Sequence, residues 1–285
     1  MVQALVYSDK GVCLPSAKAL EEQLKRLLGP TIAVIQVDGE YLRTQKWEDK
    51  TVVLAMGGGV CSEWDQQLQM EGIQKIQNYV RGGGKYIGFC AGAYFAAAKS
   101  CFGAVEKNRP LAFFPGKAVG PLVDGDYLSL SGARAAEVSF KMKGVVVGGV
   151  LYYQGGCLFD VEEDSAAVEI IGIYRGLEKA AAVFCRVGKG CAFLCGMHPE
   201  FKWSIDLSKG ANKKYQLLVK KLSPHEMFRE KVWEEIGNKL GLISRPSYFD
   251  IVWKLCIKIR VIFEQFLAKL LRPFEFDRSN DEKSL

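Results

Sequence analysis

A chain of 285 residues, 49% apolar and 25% charged, carries enough apolar surface for one large core or two modest ones, which excludes disorder over most of its length. Its formal charge of +6 is spread without a basic and aromatic stripe, so nucleic acid is excluded as a partner. Thirty glycines against nine prolines follow no collagen or linker period, and no solenoid-type repeat is present.

In chain order, residues 2–7 and 31–37 are short runs rich in β-branched side chains. Between them, PSAKALEEQLKRLL at 15–28 repeats apolar positions every three and four residues, which predicts a β-α-β opening. TVVLAM at 51–56 predicts a strand ending in Gly57-Gly58-Gly59. A helix is expected over 65–80, then three further glycines and the strand KYIGF at 85–89. Apolar strands alternating with amphipathic helices predict a largely parallel sheet flanked by helices. Past about residue 110 the pattern becomes strand-like at 135–153, 167–175, 179–187 and 190–196, which is expected to extend the same sheet. Helices follow at 212–222, 226–240 and 248–271. The expected organisation is an α/β domain over 1–224, a helical extension over 225–272 and a solvated tail over 273–285.

The N-terminus MVQALVYSDK has no charged segment followed by a long apolar one, so no secretory signal is read there. Nine cysteines, an odd number, are scattered along the chain. They are expected to be reduced thiols of a cytoplasmic protein. No paired CxxC or CxxH elements occur and His198 and His225 are the only histidines, so no metal and no cofactor is expected. The apolar segment 248–272 is interrupted by Lys254, Lys258, Arg260, Glu264 and Lys269. It lacks the roughly 18 uncharged residues of a membrane span. As an amphipathic basic helix it is expected to pack on the core or on a neighbouring domain, with a partner protein or an anionic membrane surface as the alternative.

The string most informative about chemistry is GKYIGFCAGAYFAAAKS at 84–100: a buried strand, Gly-Phe-Cys-Ala-Gly, then a small-residue helix. A nucleophile at a sharp strand-to-helix turn needs small residues two positions either side, the places of Gly88 and Gly92, and Cys90 fits the slot between them. The start of the following helix would favour its thiolate. Strand CAFLCG at 191–196 leads into Met197-His198-Pro199-Glu200. A base and its orienting carboxylate leaving a strand end together can both face such a nucleophile, so His198 is the candidate base and Glu200 its partner. Gly58 and Gly59, with the N–H of Ala91, are the candidate oxyanion donors. The alternative for the glycines is an ordinary βα turn, and no G-K-[ST] follows to bind phosphate. Cys61, just past the loop, is either a redox partner for Cys90 or an unremarkable thiol. His225 is expected at the surface near a helix start.

With Cys90 in GFCAG, the glycine loop and His198-Pro199-Glu200, the chain resembles the class I glutamine amidotransferases, whose fold is flavodoxin-like. IGFCAGAYFAAA, LAFFPGKAVGP at 111–121, SGARA at 131–135, YYQGG at 152–156, KAAAVFCRVGKG at 179–190, GMHPEF at 196–201 and REKVWEEIGNKLGL are similar to the amidotransferase-like N-terminal region of eukaryotic biotin–protein ligases. The likeness runs over roughly residues 3–245. It implies a Cys90, His198, Glu200 triad in a domain attached to protein biotinylation, and a pocket lined by the turn Gln154, Gly155 and Gly156 together with Tyr94. Residue pattern alone reads that turn as a hairpin or bulge. The ligase reaction is not implied, because nothing here matches the separate ligase domain. The family's glycine loop usually reads Pro-Gly-Gly-Ala-Asp, whereas Met56-Gly57-Gly58-Gly59-Val60 stands here.

Two functions follow as expectations. One is thiol-dependent hydrolysis of a small amide or acyl substrate. The other is a non-catalytic regulatory domain that binds an acyl or carboxylate metabolite or a biotin ligase catalytic domain. The intact Cys-His-Glu set favours the first and the altered glycine loop the second. A PfpI-type protease shares the cysteine elbow but is not marked by a later H-P-E.

Overall fold

The structure is a computed structural model that describes residues 2–123, 125–161, 166–208 and 211–243, with Ile257 and Arg260 beyond them. The chain divides into a compact unit Met1–Ile243 and a second unit Ser244–Leu285. The expected 248–272 helix, Ile257 and Arg260 apart, and the 273–285 tail lie outside the described residues.

One 13-stranded sheet organises the first unit. Strands β1 (Gln3–Tyr7), β2 (Ala33–Val37), β3 (Thr51–Met56), β4 (Lys85–Phe89) and β13 (Gly190–Cys195) lie in the order β2-β1-β3-β4-β13 and are all parallel. That is the flavodoxin-like order, with the chain reversing direction across the sheet at β1 and β3. Helix α1 (Leu14–Leu28) joins β1 to β2 and ends at Gly29, whose φ of 72° suits a residue without Cβ. Helices α2 (Gly39–Thr44), α3 (Cys61–Arg81) and α4 (Ala91–Ala96) complete the first half. Strand pleating sends alternate residues to opposite cores. Leu5, Tyr7, Leu54, Met56 and Tyr86 pack with Trp64 and Leu68 of α3 on one face, while Ala4, Val6, Val53, Ala55 and Phe89 pack with Leu20 and Leu24 of α1 on the other.

The rest of the sheet departs in detail from the sequence pattern. The small-residue helix after Cys90 is only six residues long, and Ala97–Phe102 is strand β5, paired with β6 (Val105–Asn108) and β7 (Phe114–Gly120). Pairing with two neighbours overrides the helix propensity of the alanines. The run at 135–153 is a hairpin of β8 (Ala133–Met142) and β9 (Val145–Gln154). Its two-residue turn puts Lys143 at φ 48° and Gly144 at φ 83°, the positive pair of a type I′ turn. Strands β10 (Leu158–Asp160) and β12 (Lys179–Val187) connect β7 to β13, and β11 (Val168–Tyr174) pairs with β12 and β8.

Helix α5 (Lys213–Leu222) lays Leu218, Val219 and Leu222 against Ala133 and Tyr152. Helix α6 (Glu226–Lys239) puts Phe228, Val232, Trp233 and Ile236 into the α1 face of the main core. The compact unit therefore continues past the boundary expected at 224, because α6 has its apolar side chains buried against the sheet. Among the described residues no helix is long and apolar enough to cross a membrane, and no two cysteines are bonded to each other.

Candidate active site

Gln154, Gly155 and Gly156 follow the antiparallel β9, whereas the carboxyl ends of the parallel strands carry Gly58 and Gly59 after β3, Cys90 and Ala91 after β4, and His198 and Glu200 after β13. In a doubly wound sheet this edge, beside the reversal of strand order, is where ligands bind. Cys195 of β13 pairs with Phe89 of β4, and the Cys90 N–H donates to Cys195 O at 2.9 Å, so the chain leaving β13 starts beside the chain leaving β4. Cys90 has φ 49° and ψ −106°, a conformation that L-residues avoid unless the surroundings impose it. Its neighbours impose it through close packing: a Cβ at Gly88 would lie 2.6 Å from Gly92 O, and one at Gly92 2.0 Å from Met56 O. The helix that follows is a turn and a half, so aligned peptide dipoles contribute less than its sequence suggested.

His198 and Glu200 are buried. His198 Nδ1 is 2.7 Å from Glu200 Oε1, and the nearby Cys90 adds a favourable charge interaction with the imidazolium. The Sγ donates to Gln154 O at 3.5 Å. Burial disfavours the imidazolium, but the Glu200 carboxylate and Cys90 outweigh it and hold His198 well above the ordinary imidazole range. Tyr152 and Phe201 flank the ring, with centroids 5.6 and 5.4 Å away. Tyr152, Phe201 and Trp203 line a crevice beside His198.

The expected oxyanion donors separate. The Gly58 N–H donates to Ser16 Oγ at 2.9 Å, so it is committed elsewhere and is withdrawn from that role. What Gly58 supplies is space, since a Cβ there would stand 2.7 Å from His198 Cε1. The N–H groups of Gly59 and Ala91 have no partner among the described residues. The expected substrate-binding residues are used as structure. Tyr94 is buried and its hydroxyl donates to Gly156 O at 3.0 Å. Gln154 Nε2 donates to Tyr127 O at 2.7 Å and Ser129 O at 3.0 Å, tying down the 126–131 loop. A Cβ on Gly155 would press on the Tyr127 ring and one on Gly156 would overlap Gly196 O. Cys61 accepts a hydrogen bond from Arg109 Nη2 at 3.1 Å, and burial pushes its thiol up to about 11. His225 is half-buried at the start of α6.

Sequence pattern missed two supports of this site. Ser16, on α1, is fully buried and donates to Glu200 Oε1 at 2.6 Å; its only local signal is a polar residue within an apolar stripe. On α6, Arg229 Nη1 and Trp233 Nε1 both donate to Pro199 O, at 3.0 and 2.8 Å, and so grip the residue between His198 and Glu200. Trp233→Phe keeps the ring against Phe89, 5.5 Å away, and removes only the N–H. It is expected to lower the unfolding free energy in urea by about 1 kcal/mol. Unchanged stability would mean that Arg229 alone satisfies the carbonyl.

A sequence profile of the family described as biotin-protein ligase, N terminal, matches residues 2–254. The chain belongs to this family. A protein of Chlamydia muridarum described as uncharacterized is 36% identical over 217 residues, which cover 70% of this chain and 81% of that protein. The biotin–protein ligase of Schizosaccharomyces pombe is 32% identical over 215 residues, 70% of this chain and 33% of the ligase. This N-terminal-type chain therefore spans about a third of that ligase's length. A crystal structure of a glutamine amidotransferase superposes with a TM-score of 0.51 at 18% identity, covering 77% of this chain and 98% of the other. The fold is that of the glutamine amidotransferases.

Proposed function

We propose that this biotin–protein ligase N-terminal domain is a thiol-dependent hydrolase of a small amide or acyl compound connected with protein biotinylation. Cys90 Sγ, its proton taken by His198, attacks the carbonyl carbon, and the resulting oxyanion is held by the N–H groups of Gly59 and Ala91. Collapse of the adduct expels the amine or alcohol with a proton from His198. Water, deprotonated by His198, then cleaves the thioester, releasing the acid and restoring the thiol. Glu200 fixes the imidazole so that Nδ1 carries a proton and Nε2 serves the sulfur.

The observation that carries this reading is the imidazole held 2.7 Å from a fully buried carboxylate on the chain leaving β13, beside the chain leaving β4 with a cysteine at φ 49°. Intact-mass spectrometry after incubation with electrophilic glutamine and biotin-ester analogues tests it. A single adduct on Cys90 is expected, absent from Cys90→Ser and formed at least about 100-fold more slowly in His198→Ala. Labelling that persists in Cys90→Ser overturns the reading.

A second reading, a domain that binds an acyl or carboxylate ligand or a ligase catalytic domain without turnover, is favoured by the committed Gly58 N–H. Under it, ligand raises the melting temperature of Cys90→Ala as much as that of the wild type, and no adduct forms.

A further inference from the structure

We infer that Ser16 is a positioning residue for the Cys90, His198 and Glu200 set, acting through Glu200; this rests on the hydrolase reading above. Ser16 is the third residue of α1, in a first turn where a serine hydroxyl commonly bonds to nearby backbone. Ser16 instead reaches across the fold to a carboxylate 184 positions away in the chain, at 2.6 Å.

The direction of that bond is settled by its other partner. The Gly58 N–H donates to Ser16 Oγ at 2.9 Å, which leaves the hydroxyl proton for Glu200 Oε1. The same oxygen faces His198 Nδ1. With one position at Oε1 filled by the serine, the carboxylate is held in the orientation that takes the Nδ1 proton and so selects the tautomer whose Nε2 serves the thiol. Glu200 Oε2 has no partner among the described residues, so Ser16 and His198 together account for the carboxylate's hydrogen bonding. The glycine loop is shaped around this hydroxyl: a Cβ at Gly57 would sit 2.4 Å from Ser16 Oγ, and one at Gly58 2.7 Å from His198 Cε1. The first two glycines of the loop thus serve the orienting chain.

The test is the pH–rate profile of Cys90 alkylation by iodoacetamide in the full chain, read by peptide mass. Ser16→Ala is expected to slow alkylation about tenfold near pH 6.5 and to displace the profile to higher pH, the size expected for losing a hydrogen bond to a charged group. Ser16→Thr, which keeps the hydroxyl, is expected to return the profile to that of the wild type. A role limited to packing would loosen the site and change the rate at every pH without displacing the profile. A Ser16→Ala profile that superimposes on the wild type, or a Ser16→Thr profile displaced as far as that of Ser16→Ala, overturns the proposal. His198→Ala and Glu200→Gln are run beside them. If neither alters the profile, the hydrolase reading itself fails; if both do and Ser16→Ala does not, only the assignment of Ser16 falls.

Discussion

Gly156→Ala is expected to destabilise the fold by about 3 kcal/mol or more, at the upper end of what overpacking costs. A Cβ at this position would stand 1.6 Å from Gly196 O and 2.7 Å from its carbonyl carbon, and a Cβ on Gly196 would in turn lie 1.8 Å from Cys157 O. Both obstacles are backbone, so no rotamer change relieves them. Neither segment is free to retreat. Gly156 O accepts the hydroxyls of Tyr94 and Tyr153, each at 3.0 Å, and Gly196 N–H is bonded to Ala181 O at 2.9 Å. Since Gly196 leads into His198, the displacement would also reach the site, and alkylation of Cys90 should lose its dependence on His198. Urea unfolding gives the stability change. Gly176→Ala is the control, with φ 81° but nothing within 4 Å of its added Cβ; only the positive φ opposes it, at about 1 kcal/mol. Equal losses in the two variants would show that contact with Gly196 is not the cause.

Glu200→Gln is expected to cost about 3 kcal/mol at about pH 6, the lower end for removing one partner of a buried charged pair, and the deficit should shrink as the pH rises. His198 is disfavoured as imidazolium by burial, yet Glu200 and Cys90 hold it well above its ordinary 6.5. A group raised on folding stabilises the native state fully below its unfolded value and loses that contribution as the pH climbs through the folded value. Glu200→Gln removes the largest of the favourable causes. The gap in unfolding free energy between the two chains should therefore be widest on the acid side of about 6.5 and narrow toward alkaline pH. His225 is common to both chains and cancels. A gap that stays constant, or widens as pH rises, would show that His198 owes its charge to something other than Glu200.

The parallel half of the fold and the departure of Cys90 and His198 from the ends of neighbouring strands were legible because both depend on short-range pattern. Strand β4 followed by Gly-Phe-Cys-Ala-Gly specifies an elbow through the sterics of its own residues, and β13 followed by His-Pro-Glu delivers two groups from one strand end. Once β4 and β13 are neighbours, their exits must meet. Local pattern was silent wherever a residue's use is set by a distant partner. Ser16 looks like one more position on α1 until Glu200 lies beside it. Gly58 reads as an oxyanion donor until Ser16 takes its N–H. The bonds of Tyr94 and Gln154 to the carbonyls of Gly156, Tyr127 and Ser129 likewise leave no local trace. Helix α6 reads as an appendage until Arg229 and Trp233 close on Pro199. Periodicity and turn sterics are properties of a few consecutive residues, so they survive in the one-dimensional string; hydrogen bonds between segments nearly 200 residues apart exist only after the chain has packed, and they decided which candidate groups face the site and which hold it together.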